Sequence, residues 1–421
     1  MRNMLGFIVK SLIVAFLFAV LFAYAMFQGG FVSWFLFYAF LPFLLYMAAL
    51  LIYPVHDWKV ERRLSKRMAV GGETIEVEVT LKRRLLFPIY YCVIEEHLPH
   101  SLKKVDKHLE KYKDMEETDH YYKPRKVKRV VFPWFNKAIT YRYQLDQVPR
   151  GEHVLKTFRI KTGDFFGFVK KEHIYQHESK LLVFPYVRPV KMKDRVNSFE
   201  KGASPSFKWN EKNTNIVTGV REYMPGDRFA WVDWKTTAKK NEMMTKEFEQ
   251  EKSVDMMLIL NGVYHPDGSS LSFEGAVEFT ASMLKEYHKY SSPLSFMSLG
   301  DERKYYPFRP DHTYQQKIQE HLARIRHTDK IPFAQQLDRE KSLIPSGILL
   351  MIVSHYLDKD LQNEISKWMK RSKRIVFFYV CPHNQLSFQD HQAIKQLKSE
   401  GIVVNILSED QLTQQQFEVN T

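Results

Sequence analysis

The chain has 421 residues, 45% hydrophobic and 26% charged, and this composition excludes wholesale disorder. A chain of this length is expected to form about two or three domains. The formal charge is +14, from 62 basic and 48 acidic residues. Two cysteines, Cys92 and Cys381, are too few for a disulfide framework or a four-thiolate zinc site.

Two long apolar runs, Phe7–Phe27 and Phe31–Tyr53, dominate the start of the chain. Each is close to the roughly 20 residues that a helix needs to cross a bilayer. Gln28–Gly30 leaves room only for a tight turn between them. We therefore expect a two-helix transmembrane hairpin over residues 1–57. The tripeptide Ala23–Ala25 resembles a signal-peptidase site, so a cleaved signal peptide followed by one anchor is the alternative.

The flanks of the two runs are basic, and they predict the topology. The residues concerned are Arg2, Lys10, Lys59, Arg62, Arg63, Lys66 and Arg67. Since positive loops stay on the cytoplasmic side, both termini and nearly all of the chain after the hairpin are expected inside. A reducing compartment also suits two unpaired cysteines.

Residues 58–190 are expected to form a basic, β-rich domain. Thr74–Leu81 alternates apolar and polar residues, the pattern of a half-buried strand. The same alternation recurs in Tyr90–Glu95, Ala138–Leu145 and Val154–Ile160. Strands without intervening helices predict a small sandwich or barrel. The charged stretch His100–Pro133 is expected to be a long loop.

Most of the excess positive charge lies next to the predicted membrane anchor. Between Trp58 and Glu200 there are 31 basic and 19 acidic residues. The densest group, the basic cluster, consists of Lys123, Arg125, Lys126, Lys128 and Arg129. Because anionic lipid attracts such residues, we expect this cluster to face lipid. A solvated basic surface is the alternative, and nucleic acid is not the expected partner.

Residues 253–421 alternate apolar strands with helical patterns. The expected strands are Asp255–Asn261, Pro293–Leu299, Ile348–Ser354, Arg374–Cys381 and Ile402–Leu407. Strands buried on both faces and separated by helices indicate a doubly wound α/β domain with a parallel sheet. The sequence thus predicts an α+β multidomain protein with a linker over residues 191–252.

The end of that linker carries the most informative stretch, Gly219–Ala238 followed by Lys246–Glu251. Its candidate site residues are Arg221, Glu222, Tyr223, Gly226, Asp227, Asp233, Trp234 and Lys235. Two interpretations stay open. The charges could form an ion-pair network that docks the segment on the α/β domain, or they could form a partner-binding surface. The aromatic residues at 223, 231 and 234 are expected in the core.

This stretch reads Arg-Glu-Tyr, two residues, Gly-Asp, then Asp-Trp-Lys, two residues and Ala, and it resembles the signature of the bacterial family called domain of unknown function 58. Gly163–Gly167 and Val183–Pro185 fit the same family, with Phe where its turn usually has Pro. The resemblance implies a von Willebrand factor A-like α/β domain in a bacterial cytoplasmic membrane protein. It also implies association with AAA+ ATPases of the MoxR type, whereas no settled activity belongs to the family.

A metal-binding A domain would place Asp-x-Ser-x-Ser after its first strand, because Mg²⁺ takes hard oxygen ligands. The equivalent positions here are Asn261, Val263 and His265, and valine has no ligand atom. Ser354 is followed by His355 rather than by a second acidic residue. The nearby Asp267, Ser269 and Ser270 have the wrong spacing. We therefore expect no metal and no cofactor.

The phosphate-binding loop, HExxH and zinc spacings are absent from the sequence, and we expect no catalytic residue. The predicted function is a cytoplasm-facing membrane adaptor or scaffold. Its partners would be a MoxR-type ATPase or envelope-assembly proteins, bound through a metal-free A-like domain. The alternatives are a Mg²⁺-dependent ligand-binding A domain and an envelope-associated enzyme that uses the Arg221–Lys235 charge cluster.

Overall fold

The structure is a computed structural model that describes residues 2–113, 115, 122–193, 216–249, 256–266, 268–289, 294–309, 311–327 and 331–420. The chain divides into two compact units. The first contains residues 1–111 and 117–185, and the second contains residues 112–116 and 186–421. The second unit thus takes in residues 186–190, which the sequence prediction placed in the basic domain.

The first unit begins with two helices, α1 (Arg2–Gln28) and α2 (Phe31–Ile52). Gly29, at φ +60°, makes the turn between them, in a region of backbone space that glycine enters without strain. Both helices are long and apolar enough to cross a membrane, and this is compatible with membrane anchoring.

The rest of the first unit consists of two sheets around one core. The three-stranded sheet has the order β1 (Lys59–Leu64), β3 (Ile75–Lys82), β6 (Ala138–Leu145). The five-stranded sheet has the order β2 (Met68–Val70), β8 (Lys170–Phe184), β7 (Gly151–Gly163), β4 (Tyr91–His97), β5 (Val127–Val131). Every second residue of β3 is buried, and Val77 and Val79 share a core with Ile94 and Phe158 of the other sheet.

All four strands predicted between residues 58 and 190 are present, whereas the prediction for His100–Pro133 was wrong in part. Its end forms β5, which pairs antiparallel with β4. This strand lies at the edge of its sheet, and its three central residues are exposed, so it lacks the alternation that marked the others. The long strand β8 was also missed, because most of its residues are polar.

A buried ion pair joins the two sheets. Arg62 of β1 and Glu96 of β4 approach to 2.7 Å with both side chains fully buried, and the Tyr143 hydroxyl donates a hydrogen bond to Glu96. The Arg62 guanidinium also lies 4.3 Å from the centre of the Phe158 ring. Burial raises the pKa of Glu96, and Arg62 opposes this effect. Removal of one partner from such a pair typically costs about 3–5 kcal/mol.

The second unit contains a six-stranded sheet with the order β14 (Lys304–Tyr306), β13 (Leu294–Leu299), β12 (Met256–Asn261), β15 (Leu349–Ser354), β16 (Arg374–Val380), β17 (Val403–Leu407). All neighbours are parallel except the short edge strand β14. The five parallel strands thus follow the order 2-1-3-4-5, which is typical of doubly wound folds.

Helices pack against this sheet, and consecutive residues of its central strands are buried. The helices are α4 (Ser270–Lys289), α5 (His312–Arg324), α6 (Phe333–Arg339), α7 (Lys359–Met369), α8 (Phe388–Ser399) and α9 (Glu409–Leu412). Phe378 of β16 packs against Phe279 of α4, with ring centres 4.7 Å apart. Its neighbour Phe377 instead belongs to the core that Trp368 of α7 and Leu397 of α8 complete. The predicted mixed α/β character is therefore confirmed.

Two smaller sheets complete the second unit. Strand β9 (Val190–Lys193) pairs in parallel with β18 (Phe417–Asn420), so the start of the predicted linker is a strand of this unit. Residues 194–215 and 250–252 of that linker lie outside the described residues. Strands β10 (Ile216–Glu222) and β11 (Met244–Glu249) form an antiparallel pair, and α3 (Trp234–Lys240) lies between them in the chain.

Candidate functional site

The candidate site is the segment from β10 to β11, residues 219–246, which we call the signature segment. Its chain leaves β10, turns at Gly226, forms one 3-10 turn over Phe229–Trp231 and then forms α3. Val232 and Met244 are buried beneath this connection, and Val232 pairs with Thr245. A small apolar interior therefore fixes the connection on β11.

Arg221 and Asp227 form a two-pronged ion pair at the tip of the segment. The Arg221 Nη1 and Nη2 atoms lie 2.9 and 2.7 Å from the two Asp227 carboxylate oxygens. The Met224 main-chain N–H donates to the same carboxylate at 3.0 Å. These interactions lower the pKa of Asp227, with the Arg221 hydrogen bond as the main cause. The guanidinium is thus held in one orientation at the surface.

Three other predicted site residues shape the backbone. Gly226 has φ +115°, a conformation that favours glycine, with open space where a side chain would be. Asp233 is the N-cap of α3 and accepts the Thr236 N–H at 3.0 Å, an interaction that also lowers its pKa. The Tyr223 N–H donates to the Met243 carbonyl at 2.9 Å. These residues position the segment.

Large apolar side chains on the signature segment face solvent. Met224 is 66% exposed, Phe229 68% and Trp234 67%. Exposed apolar residues that stand singly are ordinary on protein surfaces, whereas here three lie within one short, structured segment. We call these three residues the signature face.

The structure bears on two expectations about this segment. Of the five charges that one interpretation joined in a network, Arg221 and Asp227 form an ion pair. Asp233 is used as a helix cap, and Glu222 and Lys235 are exposed. The expected core position of Trp234 was wrong: Trp234 is the first residue of α3 and is 67% exposed, whereas Val232, two positions earlier, is buried. Tyr223 and Trp231 are half-buried.

A second polar group lies where β12 and β15 end, which is the edge at which doubly wound sheets bind ligands. Asn261 and Ser354 are both fully buried there. The Asn261 Nδ2 donates to the Ser354 Oγ at 2.9 Å, and its Oδ1 accepts the Val263 N–H at 2.9 Å. The Ser354 hydroxyl in turn donates to the Tyr356 carbonyl at 2.7 Å. These polar groups satisfy one another.

The donor set at this edge does not fit Mg²⁺. Val263 is buried, and the His265 ring stacks on Tyr356 with ring centres 4.3 Å apart. Burial, with smaller effects of His327 and His265, lowers the pKa of His355 to about 3. Within the part of the chain that the structure describes, three histidine, cysteine or acidic residues nowhere come together in a group that could hold a metal ion. Asp267 lies outside the described residues.

The basic cluster follows β5 along the first unit. Arg125 donates to the Gln147 carbonyl at 3.0 Å, near the end of the sheet where Glu96 of β4 pairs with Val127. Lys128 lies 3.4 Å from Glu95. Lys123, Lys126 and Arg129 are exposed. The role of the cluster in lipid contact stays a prediction.

Sequence reasoning missed Met224 and Phe229 as site residues. Both flank the Pro-Gly-Asp turn, and apolar residues beside a turn that cannot be buried are a signal for exposure. It also missed Arg188, which lies 3.7 Å from Glu278 of α4 with both side chains buried, and which donates to the Leu412 carbonyl at 2.8 Å.

Comparison with known proteins gives one family and one curated relative. The model of the family described as "Protein of unknown function DUF58" matches residues 219–400. The uncharacterized protein YeaD of Bacillus subtilis strain 168 is 36% identical over 337 residues, which cover 80% of this chain and 79% of YeaD. The family match begins within the signature segment and continues through α8.

Similarity to solved structures is slight. The PilB minor pilin of Streptococcus sanguinis has a TM-score of 0.28 and 7% identity, covering 77% of this chain and 85% of the pilin. The bacterial hydrophobin BslA has a TM-score of 0.17 and 11% identity, covering 28% of this chain and 97% of BslA. Neither likeness supports an argument about fold or function. The identity to YeaD and the family match together show that the chain belongs to the DUF58 family of proteins of unknown function.

Proposed function

We propose that this protein is a membrane-anchored adaptor that binds a cytoplasmic protein partner through the signature segment. The observation that carries the proposal is the exposure of Met224, Phe229 and Trp234 beside a fixed Arg221–Asp227 pair. Binding energy at protein interfaces is concentrated in a few tryptophan, tyrosine and arginine residues. A segment that presents both an exposed tryptophan and a preorganised arginine has the chemistry of such a site.

The backbone of the segment supports the same proposal. Because Asp233 caps α3 and Asp227 holds the turn, a partner meets side chains whose backbone is already ordered. Preorganisation of this kind lowers the entropic cost of association. The charged residues around the apolar ones, Glu222, Arg228 and Lys235, are exposed and would form a polar rim.

The nature of the partner rests on the family resemblance. We propose a MoxR-type AAA+ ATPase or an envelope-assembly protein, bound by an A-like α/β domain that needs no metal. The two apolar helices would hold this domain at the cytoplasmic face of a bacterial membrane, with both termini inside. The basic flanks of the helices support that orientation.

A direct binding assay tests the proposal. The full-length protein in lipid nanodiscs is immobilised, and a purified MoxR-type ATPase from the same organism is titrated over it. We expect Phe229→Ala with Trp234→Ala to weaken binding at least about tenfold, since such anchors typically contribute over 1 kcal/mol each. Phe388→Ala is the matched control, because Phe388 is an equally exposed aromatic residue of the same unit (76%). Equal loss in both variants would contradict the role of the signature face.

Cysteine accessibility in intact cells tests the topology separately. Gln28→Cys lies at the turn of the helical hairpin, and Lys66→Cys lies beyond the second helix; both residues are exposed. The native Cys92 and Cys381 are buried, so labelling is expected mainly at the introduced thiols. An impermeant thiol reagent should label position 28 in intact cells and position 66 only after permeabilisation. The reverse pattern would contradict the proposed orientation.

A further inference from the structure

Three loops of the first unit meet at one end of its two sheets. Strand pairing fixes this arrangement, because Lys82 of β3 pairs with both Lys59 and Ala138, and Tyr91 pairs with Gly163. The loops 83–90, 132–137 and 164–169 therefore lie at the same end as the chain that leaves α2 and enters β1. The other end of the sheets carries Leu64 and the turn that follows it.

The loop tips at this end expose large apolar side chains. We call them the aromatic rim, and they are Leu85, Leu86, Trp134, Phe135, Phe165 and Phe166, each between 48% and 63% exposed. A concentration of this kind is far from the scattered exposure of a soluble surface. Aromatic residues are also enriched where membrane proteins meet the boundary between lipid and water.

One of the loops reaches along α2. The rings of Phe165 and Phe166 lie 6.3 and 5.7 Å from the ring of Phe43, and Val169 is buried against a cluster that includes Val14 and Met47. Phe43 precedes the end of α2 at Ile52 by nine positions, or about 13 Å along a helix axis. If α2 crosses a hydrocarbon layer about 30 Å thick, this level lies inside the layer.

In the other two loops, side chains of the protein donate hydrogen bonds to main-chain carbonyls. Arg83 is 4% exposed and donates to the carbonyls of Phe87 at 2.9 Å, Trp134 at 2.8 Å and Asn136 at 2.8 Å. The Tyr53 hydroxyl donates to the Leu85 carbonyl at 2.9 Å. Backbone groups that enter a bilayer must find partners within the protein. In these loops, side chains supply such partners.

The hairpin tip between β7 and β8 is closed in the same way. The Asp164 N–H donates to the Val169 carbonyl at 3.1 Å. The Val169 N–H donates in turn to the Asp164 carboxylate at 3.2 Å. Lys10 of α1 donates to the Lys170 carbonyl, and Lys171 donates to the Tyr53 carbonyl at 2.6 Å. Lysines at this level suit the boundary between acyl chains and water.

We propose that the aromatic rim is inserted into the bilayer that α1 and α2 cross. One end of the β-rich part of the unit would then contact the acyl chains directly, in addition to its covalent link to the helices. The ligand is the acyl-chain region of that bilayer, which is continuous with the apolar surface of the two helices. This inference rests on the proposed membrane anchoring. It assigns lipid contact to apolar loops, whereas the sequence prediction assigned it to the basic cluster.

Depth-dependent fluorescence quenching tests the proposal on the full-length protein. Phe166→Cys and Phe135→Cys carry an environment-sensitive thiol fluorophore in vesicles of phosphatidylcholine and phosphatidylglycerol. Leu45→Cys is the control within the membrane, because Leu45 is 61% exposed on α2 only two positions from Phe43. Lys66→Cys is the aqueous control beyond the other end of β1. Nitroxide groups on the acyl chains and iodide in the buffer serve as quenchers.

We expect labels at 166 and 135 to behave as at 45, with several-fold stronger quenching by nitroxide lipid than at 66 and protection from iodide. If label 45 is quenched by lipid while labels 166 and 135 respond only to iodide, the helices cross the membrane but the rim is not inserted, and the inference is wrong. If label 45 also responds only to iodide, the anchoring has failed and the inference fails with it. Using two rim positions guards against misfolding of either variant.

Discussion

The aromatic rim and the signature face are both exposed apolar surfaces, but their polar surroundings differ. Around the rim, Arg83 is buried and its N–H groups donate hydrogen bonds to loop carbonyls. Around the signature face, the Arg221 side chain is 41% exposed and holds a carboxylate at the surface. In the rim loops Arg83 thus bonds the main chain away from solvent, although Arg84 and Lys137 of the same loops are exposed, whereas at the signature face the paired arginine itself stays partly in water.

This difference fits the two occupants that we propose, a lipid phase at the rim and a protein at the signature face. A lipid phase offers no hydrogen bonds, so a surface that enters it must satisfy its own backbone. A protein partner brings hydrogen-bonding groups and charges of its own, so exposed charges around an apolar centre add specificity. The exposed area of the apolar side chains does not distinguish the two surfaces. The hydrogen bonding of the neighbouring carbonyls and the exposure of the neighbouring arginine do.

The largest expected effect is on the rim. Arg83→Met should lower the free energy of unfolding of the first unit by about 3 kcal/mol, because several buried carbonyls lose their donor. Arg125→Met is the matched control: it loses the hydrogen bond to Gln147 from a half-buried position and should cost less than about 1 kcal/mol. Hydrogen exchange of β3 and β6 amides in the detergent-solubilised full-length protein measures both. An equal loss of unfolding free energy in the two variants would contradict the special role of Arg83 in bonding the rim loops.

The second effect concerns the unit that carries the signature face. Burial depresses the pKa of His355 to about 3 from an ordinary value of 6.5, so the unfolded chain binds a proton that the folded unit does not. The free energy of unfolding should be highest above pH 6.5 and should fall by about 1.4 kcal/mol for each pH unit below it, which amounts to about 2 kcal/mol at pH 5. Hydrogen exchange of β15 amides measures this slope. His355→Asn should flatten it, whereas His391→Asn, at an exposed position of α8, should not; an unchanged slope in His355→Asn would contradict the assignment.

A smaller effect is expected from the signature pair itself. Arg221→Gln and Asp227→Asn should change the thermal stability of the protein little, because exposed ion pairs contribute little to folding. The same variants should weaken binding of the protein partner severalfold, since the partner would meet an unrestrained side chain. If instead they unfold the unit while Phe229→Ala leaves binding intact, the signature segment is a structural element and the proposed surface lies elsewhere.

The smallest effect is expected from the basic cluster. Reversing the charges of Lys126, Lys128 and Arg129 should leave the lipid quenching of a label at position 166 unchanged, because the cluster lies toward the start of β5, whereas the rim loop 132–137 follows the end of that strand. A weakened association with anionic vesicles, absent from neutral ones, would instead support the lipid-facing role that the sequence predicts for the cluster. Both vesicle types should be compared at equal ionic strength, since screening alone changes such contacts.

Much of the fold was predictable because periodicity survives without tertiary information. Ala138–Leu145 has the predicted bounds, and the central apolar strands of the second unit were found for the same reason. The short edge strand β14 and the strand β18 were missed, since three or four residues carry too little pattern. These strands were missed because they are short and, for β14, at the edge of a sheet, and not because of their composition.

The candidate sites were harder to predict than the fold. The motif located the signature segment, but the helix cap at Asp233 and the exposure of Trp234 depend on where α3 begins. For the rim, Gly163–Gly167 was recognised only as a turn. Its relation to Leu85 and Trp134 depends on strand register, which joins residues far apart in the chain and has no local signal in the sequence.

The pairing of β9 with β18 also bears on the timing of synthesis. The ribosome releases Val190 long before Phe417, by roughly 10–45 s at about 5–20 residues per second. During that interval the helical hairpin has already been made, while the α/β unit still lacks the strand that covers β9. Strand β9 can therefore find its parallel partner only after Phe417–Asn420 have been made. This sheet is thus a late step in the folding of the unit, although its first strand is among the earliest parts of the unit to be synthesised.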